Sequence, residues 1–197
     1  MELSQAIKER RTARKFKNLE VPWYLVAECL DAAIQAPSSG NVQNWRFIVV
    51  KDKNKREEVT KCCEEQYWLI KAPVLIVVCS DTLKIGKMFG VRGEALYSVQ
   101  NCAAAIENLL LKATELGLGS VWIGAFDEVK LKEMLSIESE VRPQAILALG
   151  YAEEFEDKSK REPLDNVVYF EKYGKREDKE RGKLSPVAEA LKKVFKH

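Results

Sequence analysis

The chain has 197 residues, 46% apolar and 31% charged, enough to bury one substantial core within a single domain. Its 32 basic and 30 acidic groups leave a formal net charge of +2, which argues against a dedicated nucleic-acid or membrane-surface protein, whose field is lopsided. The longest apolar run, Ala72 to Cys79, is too short to span a bilayer, and the charges at 8–11 leave no hydrophobic segment for a signal peptide. A soluble, cytoplasmic protein is expected.

In chain order, residues 2–10 read as a helix with Leu3, Ala6 and Ile7 on one face. A second helix opens at Pro22 and carries Trp23, Val26, Ala27, Leu30, Ala33 and Ile34 at helical spacing. It should stop near Ala36, because Pro37 disfavours α conformation in the residue before it. A Pro-Ser-Ser-Gly-Asn loop then leads into Phe47-Ile48-Val49-Val50, a strand by length and β-branching. A charged helix is expected over 53–65. Val74 to Cys79 is uninterrupted apolar, the pattern of a central strand buried on both faces.

The longest helix is predicted from about Glu94 to Leu116, with Ala95, Val99, Cys102, Ala103, Ile106, Leu110 and Ala113 recurring at threes and fours. Gly117 and Gly119 stop it, and residues 120–123 form a short strand. A helix from Asp127 to Leu135 has Asp127 as its N-cap, and Gln144 to Leu149 makes a fourth strand. Beyond Ala152 the character changes. Residues 153–162 are nearly all charged, Val167-Val168-Tyr169-Phe170 is an isolated strand-like patch, and a last amphipathic helix carries Val187, Leu191, Val194 and Phe195. These two apolar patches on a polar tether need a docking surface, and a second subunit is one such surface. The division expected is a body of residues 1–164 and an extension of 165–197.

Much chemistry is excluded. Five cysteines form no CxxC pair and no metal-ligand spacing, so they read as small core hydrophobes. The sole histidine is His197, the last residue, which removes Ser-His-Asp and Cys-His triads and His-based metal sites. No Walker A sequence is present, and no GxGxxG follows a predicted strand. A bound phosphate must therefore be held by side chains. Arg10-Arg11-Thr12-Ala13-Arg14 packs three guanidiniums and a hydroxyl into five residues, a density suited to bidentate charge-assisted bonds. A charge run is more often a solvated face. Its pairing with Ala36 to Trp45, rich in Ser38, Ser39, Asn41, Gln43 and Asn44, favours a ligand: a phosphorylated, planar, hydrogen-bonding heterocycle.

The combination resembles the FMN-dependent nitroreductase family. The likeness runs in register along the chain: Arg-Arg-Thr-Ala-Arg-Lys-Phe at 10–16, Ala-Pro-Ser-Ser-Gly-Asn-Val-Gln-Asn-Trp at 36–45, Ala72-Pro73 with its strand, Glu107 to Leu111, Gly117 to Gly124, Leu149-Gly150-Tyr151 and Lys160 to Leu164. The resemblance implies an α+β, three-layer fold with a mostly antiparallel central sheet, and a homodimer that exchanges a C-terminal strand between subunits. It implies FMN at the subunit interface. Arg10, Thr12 and Arg161 would hold the phosphate and ribityl chain, Arg11 would add a backbone contact, and Arg14 would lie near the pyrimidine edge of the ring. Pro37, Ser38, Ser39 and Asn41 would come from the partner subunit, and Ile123-Gly124 would place backbone groups near the reactive edge. Gln43 and Gln66 complete the candidate set. This chain departs from the family at Asn44, where proline is common, and at Thr12, where serine is common.

The implied activity is hydride transfer from NADH or NADPH through the flavin to nitroaromatics, quinones or free flavin, by a ping-pong route that needs no catalytic side chain. A specialised reaction within the same fold is the nearest rival: reductive dehalogenation, flavin fragmentation or heterocycle oxidation, with specificity in lid segments such as 82–94. A non-enzymatic FMN- or anion-binding protein is a rival from another class.

Overall fold

The computed structural model describes residues 1–64 and 66–176. Contacts divide the chain into two compact units, Met1–Asp157 and Lys158–His197. The first unit is built on a four-stranded sheet: β2 (Trp45–Val50), β3 (Val74–Asp81), β5 (Val141–Gly150) and β4 (Gly119–Ile123), in that spatial order. Every neighbouring pair is antiparallel. A second, two-stranded ribbon pairs β1 (Lys15–Phe16) with β6 (Ala152–Glu154).

Side-chain alternation on β3 explains its unbroken apolar run. Val74, Ile76 and Val78 point into one core, with α2 (Trp23–Ile34) and α5 (Ser98–Glu115) packed over them. Leu75, Val77 and Cys79 point into the other, against Val59 of α3 (Lys53–Lys61) and Leu131 of α6 (Glu128–Leu135). Helices thus cover both faces, and the expected three-layer α+β architecture is what forms.

Several local expectations hold in detail. Asp127 caps α6 by accepting the Lys130 N–H at 3.1 Å, as read from sequence. The stop after α5 is a Schellman arrangement, with Leu118 N–H donating to Ala113 O and Gly117 N–H to Thr114 O. Gly117 sits at φ +75°, a conformation that only glycine adopts freely.

Other expectations shift. The longest helix begins at Ser98 rather than Glu94, because a π turn, Gly93–Tyr97, precedes it. α3 ends at Lys61, short of residue 65. The 82–94 segment is itself mostly α4 (Thr82–Arg92), broken at Gly90, whose φ of 57° and ψ of −150° lie outside helical space. The strand-like reading of Val167–Phe170 is corrected: Val167 closes a single turn, α7 (Leu164–Val167), Val168 after it is extended, and no strand forms over these residues. A lone chain gives that patch no strand to pair with, so the local turn anchored at Pro163 wins. The amphipathic helix expected around Val187–Phe195 lies outside the described residues.

The five cysteines are core residues, none more than 2% exposed. Burial pushes the thiols of Cys29, Cys63, Cys79 and Cys102 from the ordinary 9.0 up to about 12, and raises Cys62 as well. None is a thiolate at neutral pH, which removes them as nucleophiles. Two outcomes follow. A thiol reagent should modify no cysteine in the native protein and all five after denaturation. Native thiols keep their protons up to about pH 12, whereas unfolded ones lose them near 9. Their contribution to stability is therefore complete below pH 9 and lost as pH climbs toward 12, so the urea midpoint should fall across that range.

Gly119 supplies a second test. A Cβ built there would meet the Cβ atoms of Ala13 and Ala152, each at 2.8 Å. Gly119→Val should lower unfolding free energy by about 1–3 kcal/mol through overpacking, read as a lower urea midpoint at unchanged slope.

Candidate functional site

The arginine run is laid against β4 by backbone geometry. α1 (Leu3–Glu9) ends at Arg10, whose N–H still reaches Ala6 O while its own φ and ψ turn extended. Thr12 then forms a parallel bridge with Ser120, and Ala13 N–H donates to Ser120 O at 3.0 Å. Ala13 is fully buried, while Arg11 and Arg14 on either side of the Thr12-Ala13 pair are exposed. Arg10 lies 3.7 Å from Glu107 of α5 and is 24% exposed. Arg14 is ion-paired with Glu156 and lies 5.9 Å from the Trp68 ring.

Gln66 begins the turn that carries Trp68, and its Nε2 donates to Ala125 O at 3.3 Å. Ala125 follows Gly124 directly, so Arg10, Arg11, Thr12, Arg14, Gln66, Ile123 and Gly124 all border the β4 edge of one chain. Ile123 is buried and Gly124 exposed. A Cβ at Gly124 would meet nothing within 4 Å. The chain's own packing therefore gives no reason for glycine there.

The serine-amide loop lies elsewhere. It joins α2 to β2 through the short turn Ser39–Asn41. Gly40, Asn41 and Gln43 take φ of +56°, +54° and +49°, and such left-handed backbone costs a non-glycine residue about 1–2 kcal/mol. Compensating bonds hold it. Ser38 Oγ accepts the Gln43 N–H at 3.1 Å, and Gln43 Nε2 donates to Asn41 Oδ1 at 2.9 Å. Pro37, Asn41 and Gln43 remain exposed, with Ser38 and Ser39 half-buried. α4 packs over the loop: a Cβ on Gly40 would meet Met88 Sδ at 2.8 Å and Phe89 Cζ at 2.9 Å. Lys84 Nζ also donates to Gln43 O at 3.3 Å.

Asn44 faces inward. It is fully buried and bonds Ser80 and Asn101, two residues that sequence reasoning did not single out. A polar side chain one residue before an apolar strand was the only local sign of such an anchor, and its partners are remote in sequence.

The two segments do not meet on one chain. Ser120, beside the arginine run, aligns through Leu149 with Val74, whereas Trp45, after the loop, aligns with Ser80. Three inter-strand steps of about 4.8 Å and the run from Val74 to Ser80 at about 3.3 Å per residue separate Ser120 from Trp45 by roughly 25 Å. Arg161 belongs to the second unit and is exposed. Among the described residues no cluster of His, Cys, Asp and Glu could hold a metal ion. No helix among them is long and apolar enough to cross a membrane.

Comparison with known proteins places this geometry in context. The nitroreductase family profile matches residues 7–70 and 60–151. A protein of Methanothermobacter thermautotrophicus, provisionally named an NADH dehydrogenase/NAD(P)H nitroreductase, is 37% identical over 158 residues, covering 78% of this chain and 79% of that protein. An FMN reductase [NAD(P)H] of Bacillus subtilis is 28% identical over 185 residues, covering 87% and 74%. The solved structure of an FMN-dependent nitroreductase from Clostridium difficile superposes with a TM-score of 0.73 at 29% identity, covering 85% of this chain and 98% of that one. With its profile spanning most of the first unit and its fold shared with solved members, the chain belongs to the nitroreductase family.

Proposed function

We propose that the chain is an NAD(P)H-dependent oxidoreductase that binds FMN between two copies of itself and passes hydride to nitroaromatic or quinone acceptors. The observation that carries this reading is the separation of its two donor-rich segments. Each has exposed members, Arg11 and Arg14 in one and Pro37, Asn41 and Gln43 in the other, yet one chain holds them at opposite edges and opposite ends of its sheet. A ligand that uses both therefore takes the arginine run from one copy and the loop from another.

The donor set fits FMN. Arg10 and Thr12, joined by Arg161, would hold the phosphate, with Arg11 supporting them from the backbone. Glu107 and Glu156, the present partners of Arg10 and Arg14, are about half exposed. Such pairs are worth about 0–1 kcal/mol, so the phosphate at Arg10 and the ring edge at Arg14 would displace them at little cost. Pro37, Ser38, Ser39 and Asn41 of the second copy, with Gln43, would line the opposite side. Gly124, free of any packing demand, would let Ile123-Gly124 backbone approach the ring, with Gln66 beside it. When bound, FMN supplies the two-electron hydride chemistry.

Arg14 would stabilise negative charge at the pyrimidine edge of the ring. NAD(P)H and the acceptor would meet the flavin in turn at one position, which is ping-pong behaviour. The C-terminal extension, 165–197, would dock on the partner subunit, where a strand of the second copy's sheet supplies the pairing that Val167–Phe170 lacks alone. Free flavin is a further acceptor of the same class, and the cytoplasm, with its nicotinamide pool, is the expected compartment.

The purified protein should be yellow and dimeric, and NADH or NADPH should bleach it when oxygen is excluded. A colourless monomer that takes up no FMN on reconstitution would overturn the reading. Arg14→Ala should slow anaerobic bleaching about tenfold or more, the equivalent of about 1.4 kcal/mol at the barrier. An unchanged rate and reduction potential would remove that role from Arg14.

A further inference from the structure

Beneath the serine-amide loop, three polar side chains are buried in a region otherwise apolar: Asn44 and Ser80 at 0% exposure and Asn101 at 4%. They come from three places, the residue just before β2, the end of β3 and the first turn of α5. Their hydrogen bonds form one directed series. Asn101 Oδ1 accepts both the Ser39 N–H at 3.0 Å and the Ser39 hydroxyl at 3.2 Å. Asn101 Nδ2 donates to Asn44 Oδ1 at 2.6 Å, and Asn44 Nδ2 donates to Ser80 Oγ at 2.7 Å.

The direction is set at one end. A backbone N–H can only donate, so Ser39 fixes which end of the Asn101 amide faces it. Asn101 must then present its NH2 to Asn44, which fixes the Asn44 amide in turn. Neither side chain can turn over alone without setting donor against donor in a dry site, where an unmet polar group is costly. The series therefore ties the middle of an exposed loop, with its left-handed residues Gly40, Asn41 and Gln43, to the sheet and the long helix.

We infer that Asn101 and Asn44 act as positioning residues for the cofactor: the buried amide relay holds Ser38, Ser39 and Asn41 in their ligand-facing arrangement before FMN arrives. This rests on the FMN reading above. Pre-ordering the loop removes the cost of ordering it on binding. The relay is thus tied to affinity and not only to folding.

The test is FMN titration of flavin-free wild type, Asn101→Leu and Asn101→Asp, with thermal unfolding of each flavin-free protein. Leucine keeps the branching and the number of side-chain heavy atoms, though it is bulkier, and it strands the Ser39 N–H and the Asn44 amide. Aspartate keeps an acceptor for Ser39 and offers a second oxygen to the Asn44 NH2 once that amide turns over, and Asn44 Oδ1 then accepts the Ser80 hydroxyl. Asn101→Leu should raise the FMN Kd about tenfold or more while the protein remains folded, and Asn101→Asp should restore it to within about threefold of wild type. If leucine fails to fold, Asn44→Ala against Asn44→Asp makes the same comparison, since aspartate at 44 accepts from both Asn101 and Ser80.

Wild-type affinity in the folded leucine or alanine variant would overturn the relay's role. Equal loss in the stranded and aspartate variants would overturn it too. Wild type that binds no FMN would instead overturn the underlying reading, and this inference with it.

Discussion

The central constraint is a four-stranded antiparallel sheet buried on both faces. Covering both faces makes one apolar core on each side of the sheet and leaves mainly the edges and strand ends for polar work. Strand order then distributes that work. β4, at one edge, receives the arginine run through backbone pairing with Ser120. β2, at the other edge, begins where the serine-amide loop ends. Two strands, β3 and β5, stand between those edges. The separation of the two segments on one chain is thus a consequence of its strand order.

The two segments are held by different physics, and the contrast bears on their roles. The guanidiniums of Arg10 and Arg14 lean on half-exposed carboxylates, in water, where pairing is weak and readily exchanged. Such groups are available to an arriving anion. The loop is held by buried amides with every end matched, where breaking one bond strands its partner. One candidate segment is electrostatic and adaptable, the other geometric and pre-ordered. That division suits a ligand with a charged tail and a flat, hydrogen-bonding head.

Glycine marks the boundary between packing and function. Gly119 is required by the chain itself, since Ala13 and Ala152 press on it and thereby seat the arginine run. Gly124, five residues on in the same connection, has open space around its missing side chain. The same residue type thus serves close backbone approach within the fold at one position and leaves room for an outside group at the other. Thiol chemistry is absent from both edges, because the cysteines are committed to the core.

How much of this was legible depended on the range of the interactions. Periodicity revealed α2, α5 and β3 because each buries enough apolar surface to stamp a pattern on its own residues. Asp127 and Gly117 were readable because caps and stops are local. β1 and β6, of two and three residues, carry no period at all. The π turn before α5 and the break at Gly90 interrupt helical stretches without an interruption in their apolar spacing. Likewise, the arginine run and the loop were visible as dense clusters of donors, each within a few residues.

The chain's own order of residues therefore determined the family, the fold class and the two donor segments. Only the tertiary structure decided that those segments stand at opposite edges of one sheet, and that Asn44 turns inward to meet Ser80 and Asn101. Those facts join residues 36 and 57 positions apart. A hydrogen bond across such a span leaves no imprint on local spacing, and burial, which gives it its strength, exists only once the layers have closed.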